Sequence, residues 1–485
     1  MFNSKKRQQN IYFIGIKGVG MTMLAQFLAA KGYHVSGSDI EDTFLTDTVL
    51  RDNKIPVFSP FAVKNLPSKI DLIIYSTAFN EENNPELAIL KTAKKYQAIP
   101  KLSYAEALGE VFNHHQGIAV CGSHGKTTTS AWLGYVLVKA NKKPNVLVGS
   151  RVPQFKGSSL IGSSKIFVAE VDEYQNKLKY FKPQGVLLNN IDYDHPDFFK
   201  TEVDYLKVFM DFVKKIPSPG FLVINHRDSY SARLIKACSA RIATYDVLDE
   251  GFSGETVNYL AHDLRIKNGY QIFKVNNLGE FKIRLWGRHN IFNALAVIAT
   301  SRELGLSLEA IKTHLFGFKG TERRAQLLGE YKGALIIDDY AHHPTEVKST
   351  LEGVRAFYPG RHLRVIFHPH TYTRTKALFS QFVTSFPLAD ELIVLDIYGS
   401  AREKQGGVSS QQLVKEIKAY NRKQKIKQDV GNISDLKSVA SYLRATIESD
   451  EVVLLMGAGD VFRVGEELLG LKKQKAKVYD KQRKK

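Results

Sequence analysis

Apolar positions along this chain alternate between two patterns. Short, nearly continuous runs at 11–14, 71–78, 117–120, 146–148, 166–169, 186–189, 221–224, 334–337, 363–367, 392–395 and 452–456 have the length and turn-bounded setting of buried strands. Between them, apolar residues recur at helical spacing. Met21, Leu24, Ala25 and Leu28 form one such stripe; Leu133, Val136, Leu137 and Ala140 form another. A further helix is predicted over 287–304, opening on Arg288-His289-Asn290. Strands that are apolar on both faces and alternate with helices belong to parallel sheets covered on both sides. The fold class is therefore α/β. A length of 485 residues suggests about three domains. The predicted division is 1–108, 109–319 and 320–485, the last ending in a basic tail. The Gly-containing basic stretch 151–164 is expected to be a loop.

The first domain opens as a βαβ unit. A strand leads into Gly15-Ile16-Lys17-Gly18-Val19-Gly20, then a helix, then a second strand ending at Asp39, about twenty residues beyond the glycines. This predicts a Rossmann-like nucleotide-binding domain. The central domain carries Cys121-Gly122-Ser123-His124-Gly125-Lys126-Thr127-Thr128 between a strand and a helix. Backbone N–H groups and the positive end of a helix dipole suit an anion there. Lys126 suits the outer phosphates and Thr127 a magnesium ion, so the chain is expected to use a nucleoside triphosphate. The glycine spacing is G-x-x-G-K-T, since Val120 stands where a standard loop has its first glycine. The central domain is thus predicted to be P-loop ATPase-like with a mostly parallel sheet, and the third domain Rossmann-like α/β.

Ligands of open parallel sheets gather beyond the carboxyl ends of the strands. Glu170 ends one central strand, and His195 follows another. With the Thr127 hydroxyl they form a candidate divalent-metal set. In the third domain, Asp339-Tyr340-Ala341-His342-His343-Pro344 and His368-Pro369-His370-Thr371-Tyr372-Thr373-Arg374 likewise follow strands. No cysteine lies near these histidines, which favours recognition of a carboxylate or phosphate over zinc.

Composition removes several function classes. Two cysteines, Cys121 and Cys238, cannot make a disulfide framework and suit a reducing cytoplasm. No run of about eighteen apolar residues exists to span a membrane. The first ten residues are polar and basic, without the apolar core of a signal peptide. Net charge is +19, concentrated partly in the tail from Lys472 to Lys485. That tail has no aromatic interleaving beyond Tyr479 and reads as a solvated end rather than a nucleic-acid surface.

Gly-x-x-Gly-Lys-Thr, the run Gly287-Arg288-His289-Asn290-Ile291-Phe292-Asn293-Ala294-Leu295-Ala296 and the pair Arg323-Arg324 resemble the Mur ligase family. These are ATP-dependent amide-bond formers that also include folylpolyglutamate synthetases. The N-terminal glycine loop with Gly37-Ser38-Asp39, the runs 339–346 and 369–375, and Met456-Gly457-Ala458-Gly459-Asp460 resemble the members that join L-alanine to UDP-N-acetylmuramate. The stretches Asp172-Glu173-Tyr174 and 189–197 lean toward a sibling that adds a recycled tripeptide to the same sugar nucleotide. The resemblance implies a ligase of peptidoglycan precursor synthesis in the cytoplasm, working through an acyl phosphate, with ATP as co-substrate and Mg²⁺ or Mn²⁺. A monomer or weak homodimer is expected.

The resemblance also implies roles for residues. Gly15, Gly18, Gly20, Asp39, Ser76 and Thr77 would hold the UDP group. Gly122, Ser123, His124, Gly125, Lys126, Thr127 and Thr128 would hold the phosphates, with His289, Asn290 and Asn293 at the adenine. Arg324 would meet the γ-phosphate and Asp339 the ATP ribose. Thr127, Glu170 and His195 would bind metal; Lys126, Glu170, His195 and Arg324 would form the catalytic set. His342, His370 and Arg374 would surround the reacting carboxylate and the incoming amino acid. Lys17 stands where a small residue is usual and is expected to add a phosphate contact. Thr371 replaces a frequent Arg, removing one substrate clamp.

Overall fold

The computed structural model describes residues 9–44, 46–196, 198–249, 256–399, 403 and 405–471; the basic tail 472–485 lies outside them. Three sheets follow one another along the chain. The first has parallel strands in the order Val57–Phe58, His34–Ser38, Asn10–Ile14, Leu72–Tyr75, Lys101–Ser103. Gly15 makes the exit from the central strand at φ +82°, where a Cβ would come within 2.9 Å of Phe79 and Ser76. Only glycine fits there. The helix that follows, Val19–Ala30, is buried over most of its length. It is covered on its outer side by the second domain, where Ser159 donates to Gln26 Oε1 at 2.7 Å.

The second sheet has ten strands among the described residues. Seven, from Tyr259–Lys267 across to Asn145–Val152, are paired in parallel. Its centre is Gly185–Leu188, Gln116–Cys121, Ile166–Glu170, the three strands whose carboxyl ends the sequence marked. Antiparallel additions extend both edges. On one side Gly157–Leu160 pairs with Asn145–Val152, so the stretch expected to be a loop is half of a hairpin. On the other, Tyr270–Val275 and Gly279–Ile283 extend the sheet. These strands carry mixed polar and apolar sequences and were not anticipated from apolar runs.

The third sheet runs Gln326–Tyr331, Ala334–Asp339, Glu451–Met456, His362–Phe367, Glu391–Val394, Asp429–Asn432, parallel except for its first pair. The predicted division at 108/109 falls inside the helix Tyr104–Asn113, a continuous link between the first and second sheets. Its Ser103–Glu106 capping box fixes where it starts.

Candidate active site

The phosphate loop joins the strand Gln116–Cys121 to the helix Lys126–Lys139. Gly122 sits at φ +122°, with Asn190 O only 2.7 Å from where a Cβ would be; Gly125 sits at φ +82°, with Asn189 Nδ2 and Asn293 Oδ1 each 2.6 Å away. Ser123 N donates to Asn190 O at 3.0 Å and His124 N to Asn190 Oδ1 at 2.8 Å, so the neighbouring strand exit holds the loop open. Lys126 Nζ folds back onto Ser123 O at 3.1 Å and Glu173 Oε2 at 3.2 Å. Burial opposes its charge, but Glu173, Asp172 and Glu170 more than offset that and hold the ammonium protonated. Thr127 donates to Glu170 Oε1 at 2.8 Å, while Glu170 Oε2 accepts from Gly149 N at 2.7 Å.

Two cavities open from this loop. One, of about 270 Å³, is bounded by the loop, the 189–192 strand exit, the start of the helix Arg288–Glu303 and the 320–350 region of the third domain. His289, Asn290, Asn293, Arg324 and Asp339 all line it, as do His124 and Thr128. Burial pushes the His289 pKa down to about 4, so its ring is neutral. Asn293 Oδ1 accepts from Asn189 Nδ2 at 3.1 Å and from Thr129 at 3.2 Å, tying this helix to the phosphate loop. Asp339 lines this cavity and also braces the backbone beside it. Its oxygens already accept from Ala325 N at 2.7 Å and Ala341 N at 2.8 Å, bracing the turn that presents Arg324. Arg323 and Ala325, on either side of Arg324, both have left-handed backbone. Such turns at non-glycine residues cost energy that the surrounding contacts must offset.

The second cavity, of about 310 Å³, brings together Lys126, Thr127, Glu170, His195, Arg324, His342 and Arg374. Val19, Thr46 and Val49 of the first domain form part of its wall. Gly125, Arg324 and Glu346 line both cavities, so the two meet at the phosphate loop. His195 stands beside Asp172 and Glu173, with one potential ligand atom from each within 4.8 Å of the others. Oxygen donors with one imidazole suit Mg²⁺ or Mn²⁺. Arg374 is committed to Asp194: Nε donates to Oδ1 at 3.1 Å and Nη2 to Oδ1 and Oδ2 at 3.0 and 3.1 Å. Burial would raise the Asp194 pKa, but Arg374 holds its carboxyl far below the usual range. His370 lines neither cavity. It stacks on Tyr398 with ring centroids 5.7 Å apart, and burial lowers its pKa to about 3.

In the first domain, Asp39 Oδ2 accepts from Lys17 N at 2.6 Å and Oδ1 from Ile40 N at 2.8 Å. Through these two contacts it orders the glycine loop. Lys17 Nζ donates to Ile40 O at 2.8 Å and Asp42 O at 2.9 Å, so it braces the 40–42 turn. Gly20 packs against Tyr104, whose ring atoms would lie 2.7 Å from a Cβ. A Cβ at Gly18 would make only ordinary contacts, the nearest with Gly15 O at 3.6 Å; Ser76 accepts from Ala78 N at 3.2 Å, and Thr77 reaches Gln175 of the second domain at 3.2 Å.

Sequence reasoning gave no role to Glu173, Asp192, Asp194 or Glu346. Glu346 accepts from or pairs with His124 at 3.2 Å, His342 at 3.2 Å and Arg324 at 3.6 Å. Asp192 meets His124 at 3.0 Å and Thr345 at 2.7 Å. The one available signal was position: each lies within a few residues of a marked strand end. Among the described residues, no metal-competent group includes His342, His368 or His370, but His343 does join His124 and Asp192 in a group whose potential ligand atoms lie within 4.8 Å of one another.

Comparison with known proteins matches the whole arrangement. Residues 10–116 match the Mur ligase family catalytic domain, 120–301 the Mur ligase middle domain, and 323–459 the Mur ligase glutamate ligase domain. A UDP-N-acetylmuramate–L-alanine ligase of Desulfitobacterium hafniense is 38% identical over 474 residues, 95% of this chain and 99% of that relative. One of Alkaliphilus metalliredigens is 37% identical, covering 97% and 99%. Among solved structures, a UDP-N-acetylmuramate–alanine ligase of Thermotoga maritima superposes with a TM-score of 0.80 at 24% identity over 96% of this chain and all of that one. A murein peptide ligase of Psychrobacter arcticus gives 0.70 at 23% identity, covering 95% and 98%.

Proposed function

This chain belongs to the Mur ligase family, whose members are ATP-dependent ligases, and we propose that it joins L-alanine to the carboxylate of UDP-N-acetylmuramate in peptidoglycan precursor synthesis. The observation that carries this reading is the 310 Å³ cavity, where phosphate-loop, third-domain and first-domain side chains meet. A sugar nucleotide held by the first domain would extend its carboxylate past Val19 and Thr46 to the phosphate loop. ATP would lie in the adjoining 270 Å³ cavity, with its terminal phosphate at the junction of the two.

A carboxylate is a poor electrophile. Transfer of the γ-phosphoryl group to one of its oxygens gives an acyl phosphate and ADP. The neutral amine then attacks the acyl carbon, and phosphate leaves from the tetrahedral intermediate as the amide forms. Lys126 and Arg324 neutralise negative charge as it shifts between phosphoryl oxygens. The loop N–H groups beyond those of Ser123 and His124, which donate to Asn190, fix the phosphates, and Asn293 fixes the loop. Closure of the third domain on the second, through His124–Glu346 and Thr345–Asp192, excludes water from the acyl phosphate. A divalent ion held by Thr127 and Glu170, with a second beside His195, would supply charge neutralisation at the same oxygens. ATP as a substrate supports a cytoplasmic reaction, and no helix among the described residues is long and apolar enough to cross a membrane.

Phosphate release from ATP, measured with UDP-N-acetylmuramate and a panel of amines, tests the reading. Release is expected only when ATP, the sugar nucleotide and alanine are all present. Release with a murein tripeptide and none with alanine would transfer the chain to the recycling reaction instead.

A further inference from the structure

Glu346 places a carboxylate at the point where the two cavities meet. It is the third residue of the helix Pro344–Phe357, and one of its oxygens closes a capping box there: Oε2 accepts from His342 N at 3.1 Å and from His343 N at 3.4 Å. These bonds fix the side chain and turn the other oxygen toward the phosphate loop. Oε1 meets His124 Nδ1 at 3.2 Å and Arg324 Nη1 at 3.6 Å, while Oε2 also meets His342 Nδ1 at 3.2 Å. The side chain is only 11% exposed, yet it lines both cavities. Burial would raise its pKa, but His342 and His124 hold the carboxyl well below the usual range, so it is ionised. Arg324 is held loosely by comparison. Among the described residues its guanidinium makes no hydrogen bond; beyond the ion pair with Glu346 it lies 5.0 Å from the centre of the Tyr340 ring. A guanidinium and two imidazoles thus converge on one fixed anion, and such groups equally suit a phosphoryl group.

We infer that Glu346 is a specificity-determining residue: its carboxylate is an internal stand-in for the terminal phosphate, and the γ-phosphoryl group of ATP binds by taking Arg324 and His124 from it. This rests on the proposed reading of the two cavities as the ATP and carboxylate sites. Because Oε2 is tied into the helix cap, Glu346 stays beside the incoming phosphate instead of swinging away. Like charges a few ångströms apart in a buried site repel strongly. The penalty falls on the terminal phosphate; a diphosphate, which lacks that group, is spared it. When phosphate departs after amide formation, the same carboxylate reclaims both groups. Glu346 therefore sets weaker triphosphate binding against easier release of product phosphate.

The test measures the affinities of β,γ-methylene-ATP and ADP by calorimetry with Mg²⁺ present, in the wild type, Glu346→Gln and Glu346→Ala. Glutamine keeps the shape and the capping oxygen but lacks the charge. In Glu346→Gln the triphosphate analogue should bind about 10- to 100-fold more tightly, the usual weight of a charge-assisted contact. ADP affinity should change by less than about twofold. Product inhibition of ligation by inorganic phosphate should strengthen in step with the analogue. Alanine loses the cap as well, so Glu346→Ala should melt at a lower temperature yet shift the ratio of the two affinities in the same direction. A merely structural role would move both nucleotides together. Unchanged or weaker binding of the analogue in Glu346→Gln, an equal shift for ADP, or a wild-type ratio in Glu346→Ala would overturn the role of Glu346 while leaving the ATP site intact. A wild type that binds neither nucleotide would overturn both.

Discussion

Replacing His124 with asparagine should remove a pH-dependent clamp between the second and third domains. The imidazole lies between two carboxylates, Asp192 at 3.0 Å and Glu346 of the third domain at 3.2 Å. Burial opposes its charge, but these two partners raise its pKa to about 9 from an ordinary 6.5. A folded pKa above the unfolded one contributes stability that is fully present below pH 6.5 and lost as pH rises through about 9. The shift corresponds to about 3 kcal/mol. Asp192 is 38% exposed, so solvent screening reduces this to about 2 kcal/mol. For 485 residues the unfolding entropy is about 1 kcal/mol/K, which makes the effect about 2 °C in melting temperature. His343, whose pKa burial and the neighbouring His124 charge lower to about 4, works in the opposite direction below pH 6.5. Scanning calorimetry of wild type and His124→Asn should therefore run between pH 6.5 and about pH 10. The wild-type advantage should shrink by about 2 °C across that range. A difference that stayed flat, or grew with pH, would refute the charged clamp.

Three further outcomes follow from the same geometry. Lys126→Ala should abolish phosphate release while leaving the far-ultraviolet circular dichroism spectrum unchanged; near wild-type turnover would remove the loop as the ATP site. Glu170→Ala and His195→Ala should each raise the Mg²⁺ concentration needed for half-maximal activity, read from metal titrations at fixed ATP, and unchanged titrations in both would refute the ligand roles. Gly125→Ala forces a left-handed residue with its Cβ 2.6 Å from two amide side chains, so ATP affinity measured by calorimetry should fall at least about tenfold; unaltered affinity would show that the loop can move aside.

The sequence by itself determined the elements whose cause is local. Apolar runs marked the parallel strands because both faces of those strands are buried, and the G-x-x-G-K-T spacing marked the phosphate loop because left-handed turns at Gly122 and Gly125 need glycine. It missed edge strands such as Tyr270–Val275 and Gly279–Ile283, because polar residues interrupt their apolar ones and leave no apolar run. It named Arg374, Asp339 and Lys17 as candidate residues, but not what each touches. Those partners come from long-range packing: Asp194 for Arg374, loop N–H groups for Asp339, and carbonyls of the 40–42 turn for Lys17. An ionisable side chain shows its chemistry in its identity, but its charge state and target depend on which groups the tertiary fold brings within a few ångströms, and no local pattern encodes that distance.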